Sequence, residues 1–570
     1  MRDRLTIGIA GAGGDGVVVL GSLLQRLAAS QGYFSQMPRY YGPQIRGGAS
    51  GVKLSLDTTR ASVPEDTADI LVCFNWEKYA ELEQELPLDA ESTVFYDSAD
   101  QKHSVSLPEK SFQVGFSETV EELTGATSAK NIVALGLLSR ILALSEDHLK
   151  GAIPQDEALA LLQKNELALN SGKRLLLQFP FSELKLSPPR DSSVKIILHG
   201  NAAIAQGAIR AGCRAFFGYP ITPASEVMQE MQDYLGEGNG IFLQAEDEIA
   251  SAGLALGASI AGTKSMTATT GPGLDLMTEM IGLASSAEIP VVVVDVQRCG
   301  PATGIPSKSE QSDLNHAIYG GHGDAPRVVV APHDVEGCYR LLIESFNISE
   351  YFQTPVILLS DQWLGQTTVA TNSDFLTRDY STSQRRRLRG EYRERYHRYE
   401  LTGDCISPMA FAGDEGSIYQ STGLTHSDNG RPSFDFTTHQ RMHEKRWHKL
   451  APLRDRDELV KVFGREECSK GVVVWGPSAQ FVLETVKDLE LKDEVKVCIP
   501  ELIHPLPRRL TSFVNSLEKL LVAEMNYSAQ LYHYLRSQID LPVDTEFYAR
   551  AGGLPFSRKE LFGPIVKLAR

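Results

Sequence analysis

Three side chains in the middle of the chain have types and settings that suit ligand binding and proton transfer. Arg298 follows the apolar run Val291–Val294 by a few residues, and a guanidinium there suits a carboxylate in bidentate geometry. Glu248 leads into apolar and small residues typical of a buried helix, so its carboxylate is expected to be partly buried and able to share a proton with a ring nitrogen. Thr222 stands between two prolines, whose fixed φ predicts a rigid loop that presents the hydroxyl to a ligand.

Each of these features also has a simpler explanation, which the residue types leave open. Thr222 could only cap a helix, and the carboxylates of residues 246–248 could only be favoured at a helix N-terminus. The segment Thr270-Gly271-Pro272-Gly273 could be a plain tight turn, and Arg298 could be an exposed loop arginine. No single motif among them decides between structure and function.

A glycine-rich loop near the N-terminus is a candidate site for an anion. Gly11-Ala12-Gly13-Gly14-Asp15-Gly16 lies between an apolar run and a helical pattern, where glycines let a phosphate approach a helix N-terminus. A dinucleotide site needs an acidic residue about 20 residues further on, and none occurs between Asp15 and Asp57. We therefore expect a tight turn or an anion site formed by Gly13, Gly14 and Arg46 rather than a site for NAD.

The elements that must position these residues are short buried strands alternating with helices. Apolar runs such as Pro290–Val294 and Val356–Leu359 suit parallel strands that are buried on both faces. The pattern predicts the α/β class, with several doubly wound domains whose ligands gather at the carboxyl ends of the strands.

Changes in composition predict four segments. We place domains at 1–190, 191–375 and 456–570, with a connecting arm at 376–455. Seven arginines fall between Arg385 and Arg398, interleaved with glutamates, and predict a solvated helix or a subunit contact.

Length and charge exclude several classes of protein. A chain of 570 residues is expected to form several domains, since a domain has roughly 150 residues. The net charge of −16 disfavours nucleic acid as a partner. No apolar run reaches the roughly 18 residues of a membrane helix, so we expect a cytoplasmic protein without membrane contact. No two of the seven cysteines form a C-x-x-C motif. Their spacing is therefore not typical of a zinc site or of an iron–sulfur cluster.

The motifs taken together are more specific than any of them alone. Tyr219-Pro220-Ile221-Thr222-Pro223, Glu246-Asp247-Glu248, Thr270-Gly271-Pro272-Gly273, Arg298–Gly304 and Glu310–Leu314 follow one another in this order. The chain resembles the α subunit of 2-oxoacid:ferredoxin oxidoreductases over nearly its whole length, with the family's γ-type domain fused in front. The final segment looks like the transketolase C-terminal-like domain, and the second like the pyrimidine-type domain that binds thiamine diphosphate. The fused γ–α arrangement resembles the 2-oxoglutarate branch best.

The resemblance implies roles for particular residues. Glu248 matches the glutamate that bonds the aminopyrimidine ring of thiamine diphosphate, and Arg298 matches the arginine that receives the substrate carboxylate. Thr222 matches the threonine beside the substrate, and Pro220 and Ile221 share its cofactor-binding loop. The resemblance gives weaker support to two further sets of residues. Ser307 and Lys308 would line the pocket for the 2-oxoacid, and Gly13, Gly14 and Arg46 would bind coenzyme A or another anion. Cys299 and Ala302 depart from the family pattern, in which glycine and a hydroxyl residue are frequent.

The resemblance also implies that this chain is part of a larger enzyme. The diphosphate–magnesium motif is not apparent, and cluster cysteines are absent from the sequence. In the family, Mg²⁺ and the [4Fe-4S] cluster belong to a β subunit, so thiamine diphosphate would be shared in an (αβ)₂ heterotetramer. The expected reaction is the reversible, coenzyme-A-dependent oxidative decarboxylation of 2-oxoglutarate to succinyl-CoA, with electrons passing to ferredoxin.

Several alternatives stay open at this stage. The same chemistry could act on pyruvate, an aryl 2-oxoacid or another 2-oxoacid. A dinucleotide-dependent dehydrogenase is a more remote alternative, because the ribose-binding acid is missing. A subunit that only assembles or regulates a complex is a further alternative. Substrate choice depends on how the distal carboxylate is bound, for which Ser307 and Lys308 are candidates beside the β subunit.

Overall fold

Two units make up the chain, each formed from two stretches of sequence. The computed structural model describes residues 2–42, 47–60, 63–99, 106–124, 129–145, 159–179, 184–236, 238, 240–388 and 396–570. The first unit contains residues 1–199 and 366–377, and the second contains residues 200–365 and 378–570. Among the described residues, no helix combines the length and apolarity needed to cross a membrane.

The first unit is built on one mixed sheet. Its strands are β1 (Arg4–Ala12), β2 (Phe34–Met37), β3 (Arg39–Tyr41), β4 (Ala49–Asp57), β5 (Ile70–Cys73), β6 (Thr93–Asp97), β7 (Ser111–Val114), β8 (Ile196–His199) and β15 (Thr368–Thr371). Their order is β7-β6-β5-β1-β4-β2-β15-β8, with β3 beside β4. Its helices are α1 (Val17–Ser30), α2 (Trp76–Ala80), α3 (Phe116–Thr124), α4 (Lys130–Ile141), α5 (Leu159–Leu175) and α13 (Asp374–Thr377), with a 3-10 turn at Leu176–Gln178.

The strand at the start of the second predicted domain belongs to the first sheet. β8 pairs with β15, and β15 pairs with β2, all antiparallel. The side chain of Gln25 on α1 donates to the backbone oxygen of Thr368 and accepts from its hydroxyl, at 3.1 and 2.9 Å. Backbone pairing between distant segments, which periodicity does not encode, therefore assigns residues 196–199 and 368–371 to this unit.

The second unit contains two further sheets. The larger has the order β10-β9-β11-β12-β14-β13-β19, and the smaller has the order β16-β18-β17-β20-β21. The strands of the larger sheet are β9 (Ala215–Gly218), β10 (Ile241–Gln244), β11 (Ser265–Thr269), β12 (Val291–Gln297), β13 (Val328–Val330), β14 (Pro355–Asp361) and β19 (Leu502–His504). Those of the smaller sheet are β16 (Val460–Phe463), β17 (Lys470–Val474), β18 (Val495–Pro500), β20 (Lys519–Glu524) and β21 (Asp544–Ala549).

Helices cover these two sheets. They are α6 (Gly200–Arg210), α7 (Ser225–Leu235), α8 (Glu248–Ile260), α9 (Gly271–Ser286), α10 (Leu314–Tyr319), α11 (Val335–Phe352), α12 (Gln362–Gln366), α14 (Phe436–His448), α15 (Ser478–Asp488), α16 (Arg508–Asn515), α17 (Gln530–Gln538) and α18 (Arg558–Ala569). Short 3-10 turns lie at Ala451–Asp455 and Asp457–Leu459. All neighbours in the larger sheet are parallel except β13 and β19, and β12 is buried along its entire length. The expected α/β class, with parallel strands buried on both faces, is confirmed.

The arm between the sheets of the second unit is held by buried charges. Arg385 makes two hydrogen bonds to the carboxylate of Glu350, at 2.8 and 2.7 Å. Glu288 is buried against the ammonium groups of Lys445 and Lys449, and the Arg398 guanidinium donates to its backbone oxygen at 2.7 Å. The prediction that the arginine run is solvated is therefore wrong for Arg385 and Arg398, since both are buried within this unit.

Candidate functional site

Four loops that carry the central motifs begin at one edge of the larger sheet of the second unit. Thr222 follows β9, Glu248 follows β10, Gly271–Gly273 follow β11, and Arg298 follows β12. These strands are neighbours in the order β10-β9-β11-β12 and run parallel. The carboxyl ends of parallel strands share an edge, which is where ligands bind in open α/β sheets.

Arg298 is the best-defined side chain at this edge. It is 6% exposed, and its Nη1 donates a 2.6 Å hydrogen bond to the backbone oxygen of Thr222. Its Nε is buried without a hydrogen-bond partner, and no described carboxylate forms an ion pair with its guanidinium. Burial lowers the pKa of Arg298, although Asp313 acts in the opposite direction. A buried guanidinium with an unsatisfied N–H favours the binding of an anionic ligand.

Glu248 lies at the beginning of α8 with its carboxylate buried. The preceding residue, Asp247, caps the helix by accepting a 2.8 Å hydrogen bond from the backbone N–H of Ala250. No hydrogen bond joins the Glu248 carboxylate to another residue in the described part of the chain. A Cβ atom on Gly273 would lie 2.0 Å from Thr269 Oγ1 and 2.6 Å from Glu248 Oε1, so only glycine leaves both side chains in these positions. Glu248 therefore keeps a buried acceptor available for a ligand.

A cavity of about 350 Å³ connects two of the motifs within the second unit. Its lining includes Gly271 and Pro272 from the turn after β11, and Arg298 from the loop after β12. The smaller sheet contributes Asn526 and Tyr527 from the loop after β20. This volume is sufficient for a small organic ligand.

The segment from Ser309 to Asp313 joins the two sheets of the second unit. Gln311 Nε2 donates to the backbone oxygen of Trp475, and Gln311 Oε1 accepts from the backbone N–H of Met525. Asn526 Nδ2 donates to the backbone oxygen of Gln311 at 3.1 Å. Glu310 accepts from the backbone N–H of Gly300 at 3.0 Å, which fixes the loop that follows Arg298.

Sequence reasoning missed a pair of acidic residues beside Arg298. Asp295 on β12 is fully buried, and its carboxyl lies beside that of Asp313. Burial raises the pKa of both groups, and the proximity of the pair further raises that of Asp295. A sequence signal existed, because Asp295 interrupts an apolar strand whose other members are mostly valine.

The remaining predicted residues differ in their exposure to solvent. Pro220 is exposed and Ile221 half-buried beside Thr222, which itself is exposed. Ser307 and Lys308 are half-buried in the loop that follows Arg298, but neither is among the described residues that line the cavity. Cys299 is buried, and Ala302 adopts a left-handed conformation with φ of 55°. The prediction that Ser307 and Lys308 bind substrate stays a prediction.

The glycine loop of the first unit lies between β1 and α1. Gly13 donates a 2.8 Å backbone hydrogen bond to Gly48, so its N–H is already used. Gly14 has φ of 111° and open space where a side chain would lie. Asp15 pairs with Lys130 at 2.7 Å. Arg46 lies outside the described residues.

Family models match two long stretches of the chain. A model described as pyruvate flavodoxin/ferredoxin oxidoreductase, thiamine diphosphate-binding, matches residues 206–445. A model described as pyruvate ferredoxin/flavodoxin oxidoreductase matches residues 6–175. The first of these stretches includes Thr222, Glu248 and Arg298.

Comparisons with individual proteins agree with the family models. The 2-oxoacid:ferredoxin oxidoreductase subunit alpha of a Sulfolobus species is 29% identical, with 100% of this chain and 97% of that protein covered. The 2-oxoglutarate synthase subunit KorA of Methanothermobacter thermautotrophicus is 33% identical, covering 65% of this chain and 98% of that protein. A solved 2-oxoglutarate:ferredoxin oxidoreductase from Magnetococcus marinus, with 2-oxoglutarate, coenzyme A and succinyl-CoA bound, superposes with a TM-score of 0.94 and 34% identity over 100% of both chains.

Proposed function

This chain belongs to the 2-oxoacid:ferredoxin oxidoreductases, and from that premise we propose that it acts on 2-oxoglutarate as the γ–α subunit of a complex. The observation that carries the proposal is the buried Arg298 guanidinium, which is held by the Thr222 carbonyl and whose Nε has no hydrogen-bond partner among the described residues. A 2-oxoacid supplies the carboxylate that this guanidinium needs. The likeness to the Magnetococcus marinus enzyme and to the KorA subunits favours 2-oxoglutarate over pyruvate.

The residues of this chain fit the aminopyrimidine end of thiamine diphosphate. Glu248 offers a buried carboxylate without a described partner, and Gly273 leaves the room that this carboxylate occupies. The chemistry that thiamine diphosphate supplies when bound is a nucleophilic carbon that accepts the electrons released by decarboxylation. Glu248 would hold a proton on the ring nitrogen, and Pro220, Ile221 and Thr222 would border the cofactor and the substrate.

Arg298 would orient the acid for decarboxylation. With Nη1 committed to Thr222, Nη2 of the guanidinium would be left to bind the 1-carboxylate of the substrate. Burial strengthens this contact, since water competes less in a low dielectric. We further propose that Ser307 or Lys308 contacts the distal carboxylate, together with the partner subunit.

We propose that a β subunit completes the enzyme. It would carry Mg²⁺ for the diphosphate and the [4Fe-4S] cluster that passes electrons to ferredoxin, and the assembly would be an (αβ)₂ heterotetramer. Coenzyme A would accept the acyl group, and the loop at Gly13 and Gly14, with Arg46, would contact it or another anion. The reaction would be reversible and cytoplasmic. In sequence, the γ-type, pyrimidine-type, arm and C-terminal segments would meet at 190, 375 and 455, while β8 and β15 of the second segment pair in the sheet of the first unit.

The test uses the complex of this chain with its β subunit, isolated without oxygen. Coenzyme-A-dependent reduction of a low-potential dye is followed with 2-oxoglutarate, pyruvate, branched-chain and aryl 2-oxoacids. We expect a strong response to 2-oxoglutarate alone. A response to pyruvate with none to 2-oxoglutarate would disprove the substrate assignment. Full activity of a Glu248→Ala complex would instead support a subunit that only assembles the enzyme.

A further inference from the structure

Asp295 and Asp313 are two neighbouring carboxyl groups, and neither forms a direct ion pair with a cation among the described residues. Both oxygens of Asp295 are inaccessible to solvent, and no described residue donates a hydrogen bond to either of them. Asp313 Oδ2 is likewise buried without a described donor. Two ionised carboxylates in this setting would repel each other in a low dielectric, so the pair must hold at least one proton. Asp295, the more deeply buried, is then the donor and Asp313 the acceptor.

The pair lies directly beside the candidate substrate arginine. Asp313 lines the same cavity as Arg298, and it is the opposite charge that acts on the Arg298 guanidinium. A Cβ atom on Gly271 would lie 3.0 Å from Asp313 Oδ2, which places this carboxylate against the turn that begins α9. The backbone N–H of Asp313 donates to Gln297 Oε1 at 3.1 Å, which fixes its position.

Other charged groups face the pair and act on its proton affinity. Burial has the largest effect and raises the pKa of Asp313 to about 7. The neighbouring Asp295 carboxyl lowers that pKa, Asp275 on α9 and Glu310 in the joining segment raise it, and Arg298 lowers it. His316 on α10 faces the same acid, with its Nδ1 3.3 Å from Asp275 Oδ1.

We propose that the Asp295–Asp313 pair sets how strongly Arg298 attracts the carboxylate of the 2-oxoacid, through the number of protons that the pair holds. This inference rests on the proposed function. With two protons the pair is neutral, and the charge of Arg298 is available to the substrate. With one proton the pair is negative, and it competes electrostatically with the substrate for Arg298. Asp295 and Asp313 are thus positioning residues that act through Arg298.

The direction of the pH dependence follows from this assignment. As the pH rises through about 7, the pair loses its second proton to solvent. KM for the 2-oxoacid should then rise on the order of tenfold, since one charge is added near a buried cation. The value of kcat should change less, because the effect falls on binding of the carboxylate.

Two isosteric variants should shift KM in opposite directions. In Asp313→Asn the pair cannot become negative while Asp295 keeps its proton, so KM should stay low across the pH range. In Asp295→Asn the new amide donates to Asp313 and stabilises its ionised form, so KM should stay high across the range. Asp233→Asn, which removes an exposed carboxylate on α7, is the matched control and should reproduce the unmodified profile.

The experiment measures KM and kcat for 2-oxoglutarate between about pH 6 and pH 9, at saturating coenzyme A, on the complex with its β subunit. A KM profile of Asp313→Asn equal to that of the unmodified complex would overturn the proposal. An infrared titration of the unmodified complex gives a second readout, since a protonated-carboxyl band should decrease as the pH rises through 7. If neither aspartate variant assembles, a band that does not titrate overturns the proposal. Lack of turnover with every 2-oxoacid would refute the proposed function, while the infrared band would still report on the pair.

Discussion

Replacement of Arg298 by lysine tests the carboxylate site most directly. Lysine keeps the positive charge but has no planar fork, so it cannot bond the Thr222 carbonyl and the substrate in the same geometry. One charge-assisted hydrogen bond to the substrate should be lost, which is worth about 1.5–3 kcal/mol. At about 1.4 kcal/mol for each factor of ten, kcat/KM for 2-oxoglutarate should fall roughly 10- to 150-fold.

The assay compares kcat and KM for 2-oxoglutarate in the complexes with Arg298 and with Arg298→Lys. Loss of a contact made equally in the ground and transition states raises KM alone, whereas loss of orientation for decarboxylation also lowers kcat. Arg210→Lys is the matched control, because Arg210 is exposed and lies 3.8 Å from Asp379. An Arg298→Lys complex with unchanged kcat/KM would show that this guanidinium does not bind the substrate.

Three further variants, and one control, test the site and its support. Glu248→Gln keeps the shape of the side chain but removes its charge. Turnover of the assembled complex should fall about 10²- to 10⁴-fold. Retained turnover would contradict the proposal that Glu248 holds a proton on the cofactor ring. Gly273→Ala should displace the Glu248 carboxylate and reduce turnover sharply. Its control is Gly282→Ala on the same helix, where the added Cβ meets open space. This control should preserve turnover and raise the free energy of unfolding in urea by about 0.5–1 kcal/mol. Glu288→Gln leaves buried lysines without their counter-ion and should cost about 3–5 kcal/mol of unfolding free energy. Burial tends to raise the pKa of Glu288, but the charges of the two lysines outweigh it and hold that pKa well below its usual range. The stabilisation by this ion pair should therefore be present at neutral pH and lost in acid. An acid-unfolding profile that is unchanged in Glu288→Gln would refute this assignment.

The residues at the edge of the larger sheet could be predicted because their signals are local. Each motif directly follows an apolar run, and parallel strands bring their carboxyl ends to one edge. The contact between Arg298 and Thr222 follows from this rule, although they are 76 residues apart. Glu248 was predicted from the small, apolar residues that follow it, and the structure buries its carboxylate.

Other features depend on long-range packing that no local pattern encodes. The pairing of β8 and β15 within the first sheet needs partners more than 150 residues away, as between His199 and Thr368. Arg385 and Arg398 belong to a charged run typical of a solvated surface, yet buried carboxylate and carbonyl partners draw both inside. The Asp295–Asp313 pair likewise forms only when a loop folds back on the strand that precedes it.

The hydrogen bonds between Gln311 and the smaller sheet also determine when the site can form during protein synthesis. Asn526, whose side chain holds the backbone of Gln311, is added 215 residues later. At about 5–20 residues per second, translation needs roughly 10–40 s to cover that interval. During this delay the strand that carries Asp295 can pair with its neighbours, but the segment after Arg298 has no anchor in the smaller sheet. A ribosome that stalls between these two points would therefore hold a chain with a formed sheet edge and an unfinished pocket.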